Sequence, residues 1–243
     1  MTDRALPDTG LILALDVPDR PAAEALLRPL KGRLQWAKIG LQLFLREGPT
    51  ILDVVADDGF NVFLDLKLHD IPNTVASAIK ALAGHRVGLL TLHASGGEEM
   101  LRRASEAAKE ALPEARTLGV TVLTSMDAAG LSKIGVEAEP EAQVQRLAKL
   151  ATHAGIDGLV CSPLELTGLR RELGPAPLLV TPGIRPADAD KGDQKRVMTP
   201  TEARAGGASF IVVGRPILQA PDPLAAVASL LDELSTKPAS ADA

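Results

Sequence analysis

Asp65 and Lys67 stand two residues apart in NVFLDLKL (61–68), an otherwise apolar run. On an extended strand, residues at that spacing share one face. Ionised groups in such a run need partners, because burying either one alone is costly. Lys38, in WAKIG (36–40), offers a cation to Asp65, and Asp70 offers a carboxylate to Lys67 from the following turn. The expected arrangement is an alternating network, Lys38–Asp65–Lys67–Asp70. A lysine held between aspartates suits proton donation to a carbanion and electrostatic stabilisation of the charge as it develops. A purely structural salt-bridge cluster is the alternative reading of the same four residues.

A second constellation lies further along the chain, in Thr181-Pro182-Gly183-Ile184-Arg185 and in Gly214-Arg215. Glycine lets the backbone approach a ligand closely. The guanidinium of Arg215 offers a forked donor for phosphate, and Arg185 can assist it or gate the loop. By contrast, His69, His85, His93 and His153 are scattered, and the lone Cys161 shares no metal-ligand spacing with them. His85 and His153 are expected on helical surfaces, and Cys161 as a small buried residue. No metal and no cofactor is expected.

The elements that must position these groups recur down the chain. Eight short apolar runs are LILALDV (11–17), WAKIG (36–40), NVFLDLKL (61–68), VGLLTLHA (87–94), TLGVTVLTS (117–125), GLVCSP (158–163), PLLVTPGI (177–184) and FIVVGRPI (210–217). Most lack strict alternation, as strands buried on both faces of a parallel sheet do. Helical patterns separate them. In residues 97–112, Met100, Leu101, Ala104, Ala108 and Ala111 share a face, and Glu98 and Glu99 fall in the first turn, where the helix dipole favours acids. Residues 140–155 repeat the pattern with Val144, Leu147 and Ala151, and Gly155 is a stop. Eight βα units in 243 residues predict a single-domain (β/α)8 TIM barrel spanning 11–236, with a flexible segment at 1–10 and a flexible tail at 237–243. An open doubly wound sheet would want a glycine-rich turn after its first strand, and that strand here runs into Asp16-Val17-Pro18. In a barrel the site lies at the C-terminal strand ends, and phosphate is frequently held after strands seven and eight. The two constellations fall there.

Composition narrows the class further. The net charge is −5 with no long basic run, so nucleic acid is not an expected partner. No apolar run approaches the roughly 20 residues of a membrane helix. A single cysteine fits a reducing compartment, and the expected location is cytoplasmic.

With these residues in place, the sequence resembles the orotidine 5′-phosphate decarboxylase family. The signature is DLKLHDIPNT, from Asp65 to Thr74, a DxKxxD pattern followed by IPNT; LALDV, KIG, LTSM, TPGIR and VVGRPI occur around it in the family's order. The resemblance implies decarboxylation of orotidine 5′-monophosphate to uridine 5′-monophosphate in pyrimidine biosynthesis, without a cofactor. It makes Lys67 the proton donor, flanked by Asp65 and Asp70, with Lys38 completing the charged chain. It places Asp16 and Lys38 at the ribose hydroxyls, and Thr124 and Ser125 near the pyrimidine ring. Arg185, Gln194, Gly214 and Arg215 would secure the phosphate, with Pro182 among the substrate contacts and Gln194 reaching from the loop toward the ring. The polar loop from Arg185 to Val197 would act as a lid. Asp70 and Thr74 would enter the partner's site, which implies a homodimer.

Three rivals share parts of this pattern. A magnesium-dependent keto-sugar phosphate decarboxylase would carry a glutamate where Lys38 stands. A sugar-phosphate isomerase or epimerase would use carboxylates or histidines as its bases. A binding scaffold would not need Lys67 inside an apolar strand.

Overall fold

The computed structural model describes residues 9–137, 139–186 and 198–235. Eight parallel strands close into a barrel in sequence order: β1 (Gly10–Ala14), β2 (Trp36–Gly40), β3 (Asn61–Leu68), β4 (Leu89–His93), β5 (Arg116–Val120), β6 (Gly158–Val160), β7 (Leu178–Thr181) and β8 (Phe210–Val213). Each of the eight apolar runs contains one strand, and β8 pairs back onto β1 to leave no free edge. Several strands stop short of the ends of their apolar runs. β1 stops at Ala14, not at Asp16, and β5 stops at Val120, not at Ser125. For β5 the reason is its neighbour: β6 ends at Val160, the ladder partner of Val120, so the chain beyond has no strand to pair with.

Helices return between the strands and cover the outside. Glu98–Ala111 buries Met100, Leu101, Ala104, Ala107 and Ala108, and Pro140–His153 buries Val144, Leu147, Ala148 and Ala151. Gly155 follows the latter with φ of 85°, the left-handed conformation that glycine adopts without strain. Asp19 caps the helix Arg20–Leu27 by accepting from the Ala22 amide at 3.0 Å. His153 is exposed, whereas the expected helical surface position of His85 is corrected. His85 sits in a turn after the helix Pro72–Lys80, half-buried, with Nδ1 2.8 Å from Asp53 Oδ2.

The core divides in two because strand side chains alternate. Leu11 and Leu13 point out under the helices, while Ile12 and Ala14 join Phe63, Leu89, Leu118, Val180 and Val212 inside the barrel. That inward stride of two continues to the C-terminal rim. Ile12 and Ala14 lead to Asp16, Trp36 to Lys38, Phe63 to Asp65 and Lys67, Val180 to Pro182, and Val212 to Gly214. A filled apolar barrel thus ends in a ring of polar groups, with no separate structure needed to present them.

Residues 9 and 10 are already part of the barrel. The Thr9 hydroxyl donates to the Ala208 carbonyl at 2.8 Å, and β1 begins at Gly10. The rest of the expected N-terminal segment and the expected tail at 237–243 lie outside the described residues.

Gly158, at the start of β6, stands where neighbouring strands crowd closely. A Cβ there would stand 2.5 Å from the Leu178 carbonyl oxygen and 2.9 Å from Leu118 Cδ2. Backbone cannot yield as a flexible side chain does. Gly158→Ala should therefore lower stability by about 1–3 kcal/mol, the usual range for overpacking, read as a fall in urea midpoint at unchanged slope.

Candidate active site

At the C-terminal end of the barrel lies a cavity of about 940 Å³. Asp16, Lys38, Asp65, Lys67, Thr124, Pro182, Arg185, Gly214 and Arg215 all line it. Phe63, Val120, Val122, Val160 and Val212 give it an apolar floor, and sequence reasoning had not assigned these five to the site. Their signal was their inward register, visible only once the strands are aligned. Four cations, Lys38, Lys67, Arg185 and Arg215, face two carboxylates, Asp16 and Asp65. Such a cavity favours an anion of modest size with one flat apolar face.

Asp65 is the hub. Its Oδ1 lies 2.8 Å from Lys67 Nζ, and its Oδ2 lies 3.4 Å from Lys38 Nζ. Lys38 Nζ also reaches Asp16 Oδ1 at 3.3 Å. Within one chain the charged series is therefore Asp16–Lys38–Asp65–Lys67. The register explains the reach: Ala14 pairs with Lys38 and Gly40 pairs with Asp65, so the three strands deliver their charges to neighbouring heights. Gly40 leaves the room, since a Cβ there would stand 3.0 Å from Lys38 Nζ.

Lys67 has φ of 50°, and among the described residues it is the one non-glycine with positive φ. The conformation is uncommon for a side chain of this size and marks a backbone held by its surroundings. The β3–β4 ladder breaks at the same place. Leu64 pairs with Leu90, but the next partners are Leu68 and Leu92. Three residues, Asp65, Leu66 and Lys67, therefore oppose Thr91 alone, which is a bulge. The fully buried Thr91 hydroxyl lies 2.9 Å from the Lys67 amide and 3.0 Å from Asp65 Oδ1. Sequence reasoning missed Thr91. It is a β-branched residue in a strand, and nothing in its type sets it apart.

Burial pushes the Asp65 carboxyl up. The Lys38 and Lys67 charges, with hydrogen bonds from Lys67 and Thr91, outweigh that and hold it below its ordinary value. His93, next on the inward side of β4, is pushed down by burial, then by His69 and Lys67. Its ring centroid lies 5.3 Å from that of His69.

Three of the expected site residues stand apart from the cavity in the single chain. Asp70 is exposed, and its Oδ1 accepts from the Ile71 amide at 2.7 Å, turned toward the start of the next helix. Among the described residues it makes no ion pair with Lys67. Thr74 is exposed in the first turn of Pro72–Lys80, and Ser125 is exposed in the turn beyond β5. Gln194 and most of the loop expected to act as a lid lie outside the described residues. The two ends of that loop are joined: Ile184 bridges Met198, with the Arg185 amide donating to the Met198 carbonyl at 3.1 Å. No described helix is long and apolar enough to cross a membrane.

Because the Asp65 carboxyl is depressed, its contribution to stability is fully present above the unfolded value of about 3.9. It disappears as pH falls through the lower folded value. The stability difference between the native chain and Asp65→Asn, from urea unfolding, should hold steady above about pH 5. It should shrink as the medium is acidified below about pH 4.

The chain is similar to known proteins over nearly its whole length. Residues 9–230 match the model of the family described as "Orotidine 5'-phosphate decarboxylase / HUMPS family". A protein of Opitutus terrae named orotidine 5′-phosphate decarboxylase is 54% identical over 93% of this chain and 98% of its own length. One of that name from Anaeromyxobacter sp. (strain K) is 51% identical over 92% of this chain and 97% of its own. The crystal structure of orotidine 5′-phosphate decarboxylase from Lactobacillus acidophilus superposes with a TM-score of 0.84 at 37% identity, covering 94% of this chain and all of that one. The barrel, the charged rim and these likenesses agree: the chain belongs to the orotidine 5′-phosphate decarboxylase/HUMPS family.

Proposed function

We propose that the chain decarboxylates orotidine 5′-monophosphate to uridine 5′-monophosphate in pyrimidine biosynthesis, with Lys67 as the proton donor. The observation that carries the mechanism is the Lys67 ammonium, 2.8 Å from Asp65 and facing the cavity. In the reaction the bond between the ring carbon and the carboxylate breaks. Carbon dioxide leaves, and the electron pair stays on the ring carbon. A proton from the Lys67 ammonium then forms the new carbon–hydrogen bond. The ring delocalises that pair poorly, so a fixed positive charge must meet it as it appears. Asp65 aims the ammonium, and Lys38 offsets the negative charge of Asp65. The cations that this chemistry uses belong to the chain itself.

The other groups fit the rest of the nucleotide. Arg215 and Arg185, with Gly183 and Gly214 beside them, would take the phosphate. Asp16 and Lys38 would meet the ribose hydroxyls, and Thr124 and the apolar floor would take the ring. Binding energy from the remote phosphate lowers the barrier when it is used to close the site over the ring. Gln194 and the segment around it would supply that closure.

The functional unit is proposed to be a homodimer. Asp70 and Thr74 are exposed, beside an Ile71 that is 67% exposed, and a partner's site would use all three. Asp70 of one chain would then become the second carboxylate flanking Lys67 of the other. The lone thiol, Cys161, is buried and pushed above its ordinary range by burial, which fits an unreactive packing role in a reducing, cytoplasmic setting.

The decisive assay follows the loss of the ultraviolet band of orotidine 5′-monophosphate. Lys67→Ala should bind the nucleotide measurably yet lose turnover by roughly four or more orders of magnitude, because it removes both the proton and the charge. Near-native turnover would sink the mechanism. Arg215→Ala should weaken binding of uridine 5′-monophosphate by about 10²-fold, and that of uridine by less than about threefold. Equal losses would remove the phosphate from this end of the barrel.

A further inference from the structure

We propose that Thr91 is a positioning residue for the decarboxylation, the single hydroxyl that locks the direction of both the Asp65 carboxylate and the Lys67 main chain. The inference rests on the reading of Lys67 as proton donor.

The bulge creates the need. In a regular parallel ladder the Lys67 amide would donate to a carbonyl of β4. With three residues of β3 opposite one of β4, that amide donates instead to the Thr91 hydroxyl, at 2.9 Å. The direction of the second bond follows. An amide only donates, so Thr91 Oγ1 accepts from Lys67. An ionised carboxylate only accepts, so the hydroxyl proton goes to Asp65 Oδ1, at 3.0 Å. One hydroxyl thus spends its proton on the hub carboxylate and a lone pair on the backbone of the proton donor. The same Oδ1 receives the Lys67 ammonium at 2.8 Å. Lys67 is therefore held at both ends of one residue, its amide by Thr91 and its ammonium by the carboxylate that Thr91 orients.

The site has no slack to replace this group. Thr91 has no exposed surface, and Leu90 and Leu92 on either side are fully buried in the outer core. Valine has the same branched shape without the hydroxyl. Put at position 91, it would leave the Lys67 amide without this acceptor and take one of the bonds from Asp65 Oδ1. The left-handed conformation at Lys67 would lose the bond that pins it, and the ammonium would move off line. A displacement of about 1 Å in a positioned catalytic group costs on the order of 10²-fold in rate.

The test compares Thr91→Val, Thr91→Ser and Lys67→Ala in steady-state turnover of orotidine 5′-monophosphate, with calorimetric binding of uridine 5′-monophosphate as the check on an intact cavity. T91V should lose kcat by about 10²-fold, with KM and product affinity within about threefold of native. T91S, which restores the hydroxyl, should return kcat to within about fivefold of native. If T91V does not fold, Thr91→Ala takes its place with the same expected split. Native kcat in the hydroxyl-free variant would overturn the role of Thr91. So would a loss shared equally by kcat and product affinity, or T91S as impaired as T91V. An active K67A would overturn the mechanism beneath it instead; an inactive K67A beside a fully active T91V would overturn the positioning role alone.

Discussion

The structure turns on one carboxylate, Asp65, held between two ammonium groups near the top of a closed barrel. Asp65 is only 9% exposed, and only with both lysines removed would its buried charge be left without an ammonium partner. Breaking one partner of such a pair commonly costs about 3–5 kcal/mol, while a well-packed apolar substitute is often no less stable. Stability alone therefore does not explain why the charges are there. The proposed mechanism, a cation set against a developing carbanion, would explain it, because preorganised charge in a site shielded from water acts far more strongly than the same charge in solvent.

That arrangement borrows its geometry from the barrel. Residues two apart point to the same side, and a filled interior leaves no freedom in where each strand ends. Phe63 packs in the floor, and Asp65 stands directly above it on the same strand. Ala14 and Asp16 are related in the same way on β1, and Val212 and Gly214 on β8. Gly214 and Arg215 follow β8 and Lys67 lies on β3, so β1 and β2 stand between the proposed phosphate end and the proposed proton donor. Here the departure from regular structure, the bulge at Lys67, falls on the residue proposed as the proton donor.

Much of this was legible in the residues themselves. Eight apolar runs at βα spacing gave the barrel, because strands buried on both faces have nowhere to show polarity. Lys38, Asp65 and Lys67 were visible because charge inside an apolar strand is expensive. Thr91 was not, because threonine is at home in any strand. The left-handed backbone at Lys67 was hidden for a related reason: glycine advertises that conformation, and lysine does not. Asp70 was assigned to the network of its own chain and also, by resemblance, to that of a neighbour. In the single chain its carboxylate accepts from the Ile71 amide and, among the described residues, makes no ion pair with Lys67. Ser125 followed from the LTSM run, all of which lies past the last pairing of β5.

The bridge between Ile184 and Met198 has a consequence for how such a barrel can diversify. It clamps the chain where it departs after β7 and where it comes back before the helix Pro200–Ala205. Between Ile184 and Met198 lie thirteen positions, 185–197. Lengthening a loop whose ends are already joined raises its closure entropy only logarithmically, about 0.6 kcal/mol per doubling. Insertions and deletions between those anchors can accumulate at little thermodynamic penalty, so the length of this stretch can drift while the barrel that presents the charged rim stays fixed.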